Sequence, residues 1–374
     1  RNQQQAKMAA PEDGKGTKGT GSGPEPEAES GPAGAKAAGS GLEEQPNSEK
    51  RDKGCEMGLA PGGIIKLGRG PKWRIIRELG AGNFGKVFGV GRKREKSGGW
   101  EVAGMKVGIG ENDFQTRWEG WVLAYLTRLG KTSGVVRYVG HGMAAEVGGR
   151  AFPYVQMEIR HPTCPTLGAL VKLEHGRKLP VGKAARIAIG MLNGLYTMHR
   201  AGLIHRDLKP DNVGILPVPN DHSVVLIDLG MARFFTDGAG EVREPRTYPG
   251  QKGTPSFMSP RVVAWRDGSR ADDLSSWFYT LVELLKGELL LPWDELNLTA
   301  DEFEQQHLEV KAARFPADQL LLGLPEQLYA IRLHLLGLAW EDAPDYHFLF
   351  AQLADILRRC PNHKPTDPIP PYRN

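Results

Sequence analysis

The chain has 374 residues, with 48 basic and 44 acidic side chains and a net charge of +4. That balance is too small to imply a nucleic-acid partner by itself. Its three cysteines, Cys55, Cys164 and Cys360, make neither a disulfide framework nor a zinc spacing, and no apolar run approaches the ~18 residues of a membrane-crossing helix. The reducing cytosol or nucleus fits best, and a monomer is expected. No signal peptide opens the sequence, whose first residue, Arg1 rather than Met, suits an incomplete N-terminus.

Residues 1–66 are read as a disordered segment. To about position 60 they are Gly, Ala, Pro, Glu, Lys, Ser and Gln with scarcely a large apolar side chain, too little to offset the entropy of ordering. Apolar periodicity then runs from Leu67 to Cys360 and marks one folded unit, 67–362. A Pro-rich tail, 363–374, is expected to be extended. Trp73–Leu79 reads as a strand that ends in Gly80-Ala81-Gly82-Asn83-Phe84-Gly85-Lys86-Val87. Alone, this glycine loop fits a dinucleotide-binding turn or a flexible hairpin. The first wants a helix directly afterwards, whereas Val87-Phe88-Gly89-Val90 continues as a β-rich segment and argues for strand–loop–strand. Val102–Val107 carries Lys106, and the helical pattern at 113–126 carries Glu119. Taken singly, these are an ordinary strand lysine and a solvated helix face. Together they suggest a lysine whose direction is held by a carboxylate, with Glu111 as the competing partner.

Val135–Gly140 and Phe152–Met157 are expected to complete a small sheet, and Met157-Glu158-Ile159 to form a hinge. Insertions at Arg94–Gly99 and His161–Pro165 read as surface loops. The apolar helix Ala184–His199 then leads to His205-Arg206-Asp207-Leu208-Lys209-Pro210-Asp211-Asn212. A short apolar strand, Val224–Ile227, delivers Asp228-Leu229-Gly230, which alone would mean only a turn. Further on come Gly253-Thr254-Pro255-Ser256-Phe257, a helical stretch from Ser269 to Gly287 that begins with Asp272-Asp273-Leu274, and Leu291-Pro292-Trp293.

In this order the motifs resemble those of protein kinases, and the form with Lys209 goes with serine/threonine specificity. The segments from Gly253 to Trp293 look like the casein kinase I group. Gly240–Arg246 and Pro344-Asp345-Tyr346 are most similar to its tau-tubulin kinase branch. The resemblance covers roughly residues 71 to 360. It implies an α+β, two-lobed kinase fold, with an N-lobe of about 67–158, a C-lobe of about 159–362, and ATP in the cleft.

The resemblance also implies roles. Asp207 would accept the proton of a Ser or Thr hydroxyl, and Lys209 would meet charge on the γ-phosphoryl oxygens. Thr254 would link those two. Asn212 and Asp228 would hold Mg2+, with Mn2+ as a substitute. Gly80, Ala81, Gly82, Asn83, Phe84, Gly85, Val87, Lys106, Glu119, Met157, Glu158 and Ile159 would surround ATP. His205, Arg206, Leu229, Gly230 and Asp273 would support the site, with helix capping as the other reading of Asp273. Arg206 is the residue that would pair with an activation-segment phosphate, although the group generally works without one. Arg243, Arg246 and Lys252 are either a reader of acidic or phosphoprimed protein substrates or a solvated loop. Cytoskeletal substrates follow from the branch resemblance alone.

Three departures from the kinase pattern stand out. Leu229 replaces a Phe, Ser259-Pro260-Arg261 replaces Ala-Pro-Glu, and Gly104 replaces an Ala whose methyl would lie on adenine, so weaker nucleotide binding is expected. The competing functions are a pseudokinase scaffold and a small-molecule kinase.

Overall fold

A computed structural model describes residues 59–68, 70–82, 85–94, 98–108, 113–144, 151–159, 166–173, 178–216, 224–287 and 317–361. Residues 1–58, Asn83, Phe84, Glu111, the loop at 161–165, Leu291-Pro292-Trp293 and the tail 363–374 lie outside the described residues. All described residues belong to one compact unit within Gly54–Asn374.

The first half of this unit is a six-stranded sheet built from β1 (Ile64–Lys66), β2 (Lys72–Gly82), β3 (Gly85–Lys93), β4 (Trp100–Val107), β5 (Tyr138–Ala144) and β6 (Phe152–Met157). Its spatial order is β1-β2-β3-β4-β6-β5 and its ladders are antiparallel. Period-two alternation makes it: Trp73 and Ile75 of β2 face inward between exposed neighbours, onto Phe88, Val90 and Met105. Helix α1 (Asp113–Arg128) packs on β5 and β6.

The expected strand at 135–140 is corrected in part. β5 begins only at Tyr138. Gly134 and Val136 instead exchange backbone hydrogen bonds with Leu226 of the second half, at 2.8 and 2.9 Å. The Gly134 Cα needs that position, because a Cβ there would lie 2.5 Å from the Gly194 nitrogen.

The second half is mostly helical. In chain order it holds α2 (Leu167–Leu173), α3 (Val181–His199), β7 (Leu203–Ile204), β8 (Val213–Ile215), β9 (Val224–Leu226), β10 (Arg233–Phe234), α4 (Pro260–Val263), α5 (Arg270–Lys286), α6 (Ala317–Leu321), α7 (Gln327–Leu336) and α8 (Tyr346–Arg359). Its core is α3 against α5 and α8, where Ile187, Met191, Leu195, Trp277, Leu281 and Leu353 are all buried. Trp277 donates its indole N–H to Ala188 O at 3.0 Å, which satisfies the one polar atom of a fully buried ring. This is the two-lobed arrangement expected from the motifs. No described helix is long and apolar enough to cross a membrane.

Candidate active site

Three groups of elements bring the polar residues together. β4 and α1 supply the first. Lys106 Nζ donates to Glu119 Oε2 at 2.9 Å and to Asp228 Oδ1 at 2.6 Å. Glu119 is therefore the carboxylate that directs Lys106. It also accepts from the Leu229 N–H at 3.2 Å and is fully buried. One ammonium thus serves two carboxylates. Burial opposes the charged form of Lys106, but Glu119 and Asp228 outweigh it and raise its pKa. Burial and the neighbouring Asp228 charge push Glu119 up despite Lys106. Burial would also raise Asp228, but Lys106 holds it below the usual carboxylate range.

A stripe of aromatics orients α1. Phe114, Trp118, Trp121 and Tyr125 stack in sequence, with centroids 5.2–6.5 Å apart, and Phe234 meets the last three edge-on. Trp118 also donates to Ala232 O at 2.7 Å. The helical spacing announces this stripe; that it lies on Phe234, just beyond Asp228-Leu229-Gly230, does not follow from sequence.

The second group is the loop after β7. Thr254 Oγ1 donates to Asp207 Oδ1 at 2.7 Å and accepts from Lys209 Nζ at 2.6 Å. Asn212 Nδ2 donates to Asp207 O at 2.7 Å and to Asp207 Oδ2 at 3.0 Å. Both Asp207 oxygens are thus held, one by a hydroxyl and one by an amide. The amide oxygen of Asn212 is left for another ligand.

Beneath this loop Asp273 accepts from the backbone N–H groups of His205 at 2.6 Å and Arg206 at 2.8 Å. The two acids of Asp272-Asp273 divide the work. Asp272 makes a capping box with the N-cap residue Ser269, while Asp273 holds the loop. Sequence reasoning missed what supports Asp273 from behind. His199 Nε2 meets Asp273 Oδ2 at 2.9 Å, and its Nδ1 accepts from the Tyr346 hydroxyl. Burial lowers the His199 pKa, so the ring is neutral. Asp273 stays ionised, since hydrogen bonds from His199 and the His205 N–H outweigh the effect of burial. Asp345, beside Tyr346, caps α8 through the Phe348 N–H at 2.9 Å. Pro344-Asp345-Tyr346 therefore ties the last helix to the loop.

The third group is the cleft edge. Gly85, at φ +137°, closes the glycine loop; a Cβ there would lie 2.1 Å from Val107 O, so no other residue fits. Gly80, Ala81, Gly82 and Val87 lie on the β2–β3 hairpin. At the far side Met157 ends β6, beside Gly104, and Glu158 donates its N–H to Arg137 O at 2.8 Å. Gly104, where weaker nucleotide binding was expected, pairs with the end of β6. A Cβ at this position would meet Met157 Cγ and Ile159 Cγ2, both at 3.2 Å, so these side chains already fill the space a methyl would take.

The basic residues of the activation segment do not form one free cluster. Arg246 binds Asp267 through Nε at 3.2 Å and Nη2 at 3.0 Å. Arg243 Nε donates to Thr236 O at 2.8 Å. Arg206 donates its Nε to Met231 O at 2.7 Å. Lys252 lines a shallow pocket with Arg206, Asp207, Arg246, Thr254 and Arg266.

The model of the protein kinase domain matches residues 73–334. This chain belongs to the protein kinase family. It is 30% identical, over 80% of its own length and 55% of the relative's, to a probable serine/threonine-protein kinase of Dictyostelium discoideum. Casein kinase I homolog 1 of Schizosaccharomyces pombe is 30% identical over 52% of this chain and 44% of that protein. The serine/threonine-protein kinase spe-6 of Caenorhabditis elegans is 28% identical over 84% and 78%. The chain thus spans about half the length of the first two of these relatives.

A kinase domain implies ATP and a divalent cation, and the residues present fit both. Asn212 and Asp228 offer hard oxygen donors, the Asp228 side chain is 31% exposed, and the Lys106 cluster carries an excess negative charge.

Proposed function

We propose that the chain is an ATP-dependent serine/threonine protein kinase. The observation that carries this reading is the hydrogen-bonded set Lys209–Thr254–Asp207–Asn212. It supports a carboxylate fixed in direction at the point where a hydroxyl nucleophile would arrive. Asp207 orients that hydroxyl and accepts its proton as the bond to phosphorus forms. Lys209, 3.5 Å from Asp207 Oδ2, carries positive charge on the same side and stabilises the transferring phosphoryl oxygens. Lys106, directed by Glu119, holds the non-transferred phosphates of ATP. Asn212 and Asp228 would hold Mg2+, which would supply charge neutralisation on the phosphate oxygens.

Substrates are proteins, with acidic or phosphoprimed sequences favoured. The exposed Arg243 and Lys252 support this, along with the part of Arg246 that Asp267 leaves to solvent. Placement in the tau-tubulin kinase branch rests on Gly240–Arg246 and on Pro344-Asp345-Tyr346. Cytoskeletal substrates and a cytosolic or nuclear location belong to the same proposal.

Transfer of labelled phosphate from Mg-ATP to casein and to a primed peptide tests it. Asp207→Asn is expected to lower kcat by about a hundredfold or more while leaving ATP binding intact. Equal, background-level labelling by both proteins would instead favour a scaffold.

A further inference from the structure

The activation segment must lie open for a peptide to reach Asp207. In kinases that are turned on by phosphorylation, a phosphate on this segment gathers arginines and sets its course. In this protein another group already gathers them. Asp267 stands outside the segment, in the turn between α4 and α5. Its side chain is 1% exposed. Oδ2 accepts from Arg233 Nη1 at 2.6 Å, from the Arg246 backbone N–H at 2.9 Å and from Arg246 Nε at 3.2 Å, while Oδ1 accepts from Arg246 Nη2 at 3.0 Å. Arg206 lies close enough to be depressed to about 10, by burial and by the charges of Arg246 and Arg233. One carboxylate therefore binds two guanidinium groups, from β10 and the activation segment, and Arg206 of the catalytic loop lines the same pocket.

The turn that delivers Asp267 is itself held under strain. Trp265 adopts φ +57°, a left-handed conformation that a bulky side chain seldom takes. The Asp267 carbonyl is fixed as well, by the Trp340 indole N–H at 3.1 Å. Downstream of Arg246, Gln251 Nε2 binds Val263 O at 2.9 Å, and Gly253, at φ +122°, presses so close to Arg206 that a Cβ would lie 2.7 Å from its carbonyl oxygen. The next residue is Thr254, which holds Asp207.

We propose that Asp267 is a built-in anion that latches the activation segment open, a positioning residue that replaces the phosphate other kinases place there. The latch acts through Arg246 on the stretch that ends at Thr254, and so on the place where a peptide binds. ATP contacts are made elsewhere, at Lys106 and the glycine loop. This inference rests on the kinase reading above.

The test uses the full chain and the variants Asp267→Asn, Asp267→Glu and Asp267→Ala. Asp267→Asn is expected to lower kcat/KM for a plain peptide by on the order of tenfold to a hundredfold, chiefly through peptide KM, with the KM for ATP within about twofold of the parent. Asp267→Glu should recover most of the loss. In Asp267→Ala, millimolar inorganic phosphate should restore activity where chloride at equal ionic strength does not, because it supplies the missing anion. Backbone amide exchange at 243–253 should speed up in Asp267→Asn without any change at α3.

Unchanged peptide KM in Asp267→Asn would overturn the latch, as would a loss that neither Glu nor phosphate repairs. A lower KM for a primed peptide would also overturn it, since Asp267 would then only compete with substrate for Arg246. If Asp267→Asn melts too low to assay, Arg233→Gln removes one partner of the carboxylate and should give a smaller loss of the same kind. The exchange measurement needs no catalysis. An inert parent protein would sink the kinase reading, while the latch would still be decided by exchange.

Discussion

The molecule holds two ion clusters built with opposite charge. Around Lys106 one ammonium faces two carboxylates, Glu119 and Asp228. Around Asp267 one carboxylate faces two guanidinium groups, Arg233 and Arg246, with Arg206 behind them. The first has negative charge to spare and suits a cation; the second has positive charge to spare and suits an anion. They also differ in access to water. Lys106 and Glu119 are 4% and 0% exposed, whereas the Arg246 side chain is 37% exposed. A buried charge that loses its partner cannot be rescued by solvent, while a half-exposed one is largely re-solvated. The two clusters should therefore respond differently to the loss of one member.

The largest effect is expected at the buried cluster. Lys106→Ala leaves Glu119 without its cation and should cost about 3–5 kcal/mol of stability near neutral pH, besides abolishing transfer. The stability cost should depend on pH. Burial raises the pKa of Glu119, so the folded variant can take up a proton that the unfolded chain has already released. The gap in melting temperature between parent and Lys106→Ala should consequently widen as pH rises from 5 to 8. A gap that stays level across that range would mean that Glu119 finds another cation.

Asp267→Asn should cost less, about 1–3 kcal/mol, because water reaches the arginines it strands. Here the pH behaviour differs from the buried case. Burial alone would raise Asp267, but hydrogen bonds from Arg246 and Arg233 hold it down to about 2, below its ordinary value of 3.8. A depressed acid contributes stability that is complete above the unfolded value and lost only as pH falls through the folded one. Between pH 5 and 8 the gap between parent and Asp267→Asn should stay level in melting experiments. Narrowing towards pH 5 would show that the carboxylate is not ionised as its partners imply.

The smallest effect is expected at Arg243, which is exposed and outside the Asp267 cluster. Arg243→Ala should change stability by less than about 0.5 kcal/mol. It should still lower the preference for phosphoprimed over plain peptide by several-fold, on the order of the 1 kcal/mol of one charge-assisted contact. An unchanged ratio in peptide kinetics would remove Arg243 from substrate recognition and leave the positive cluster with its internal role alone.

Much of this was legible in the chain because it is written in short contiguous runs. His205–Asn212 carries three of the four residues in the set Lys209–Thr254–Asp207–Asn212, and their spacing is set by a loop too short to vary. Glu119 needed the structure to win over Glu111, since the sequence does not say which acid near the start of the helix will face Lys106. Val135–Arg137 was misread as sheet because an apolar run does not reveal which lobe its backbone will pair with. Whether the missing methyl of Gly104 leaves a gap likewise depends on the side chains across from it, Met157 and Ile159.

The sequence by itself determined the kinase fold, the catalytic loop and the pairing of Lys106 with an acid on the following helix. They are read from contiguous motifs that resemble those of kinases, within which the backbone leaves few alternatives. Only the tertiary structure decided that His199 and Tyr346 support Asp273 from two other helices, that capping of α5 falls to Asp272, and that Asp267 takes Arg233 and Arg246. The cap aside, those contacts join residues 21 to 147 positions apart, and nothing in local spacing says which charge will be buried beside which. Packing of the helices against one another settles that, because each ionised group taken from water must find its partner where the fold happens to put one.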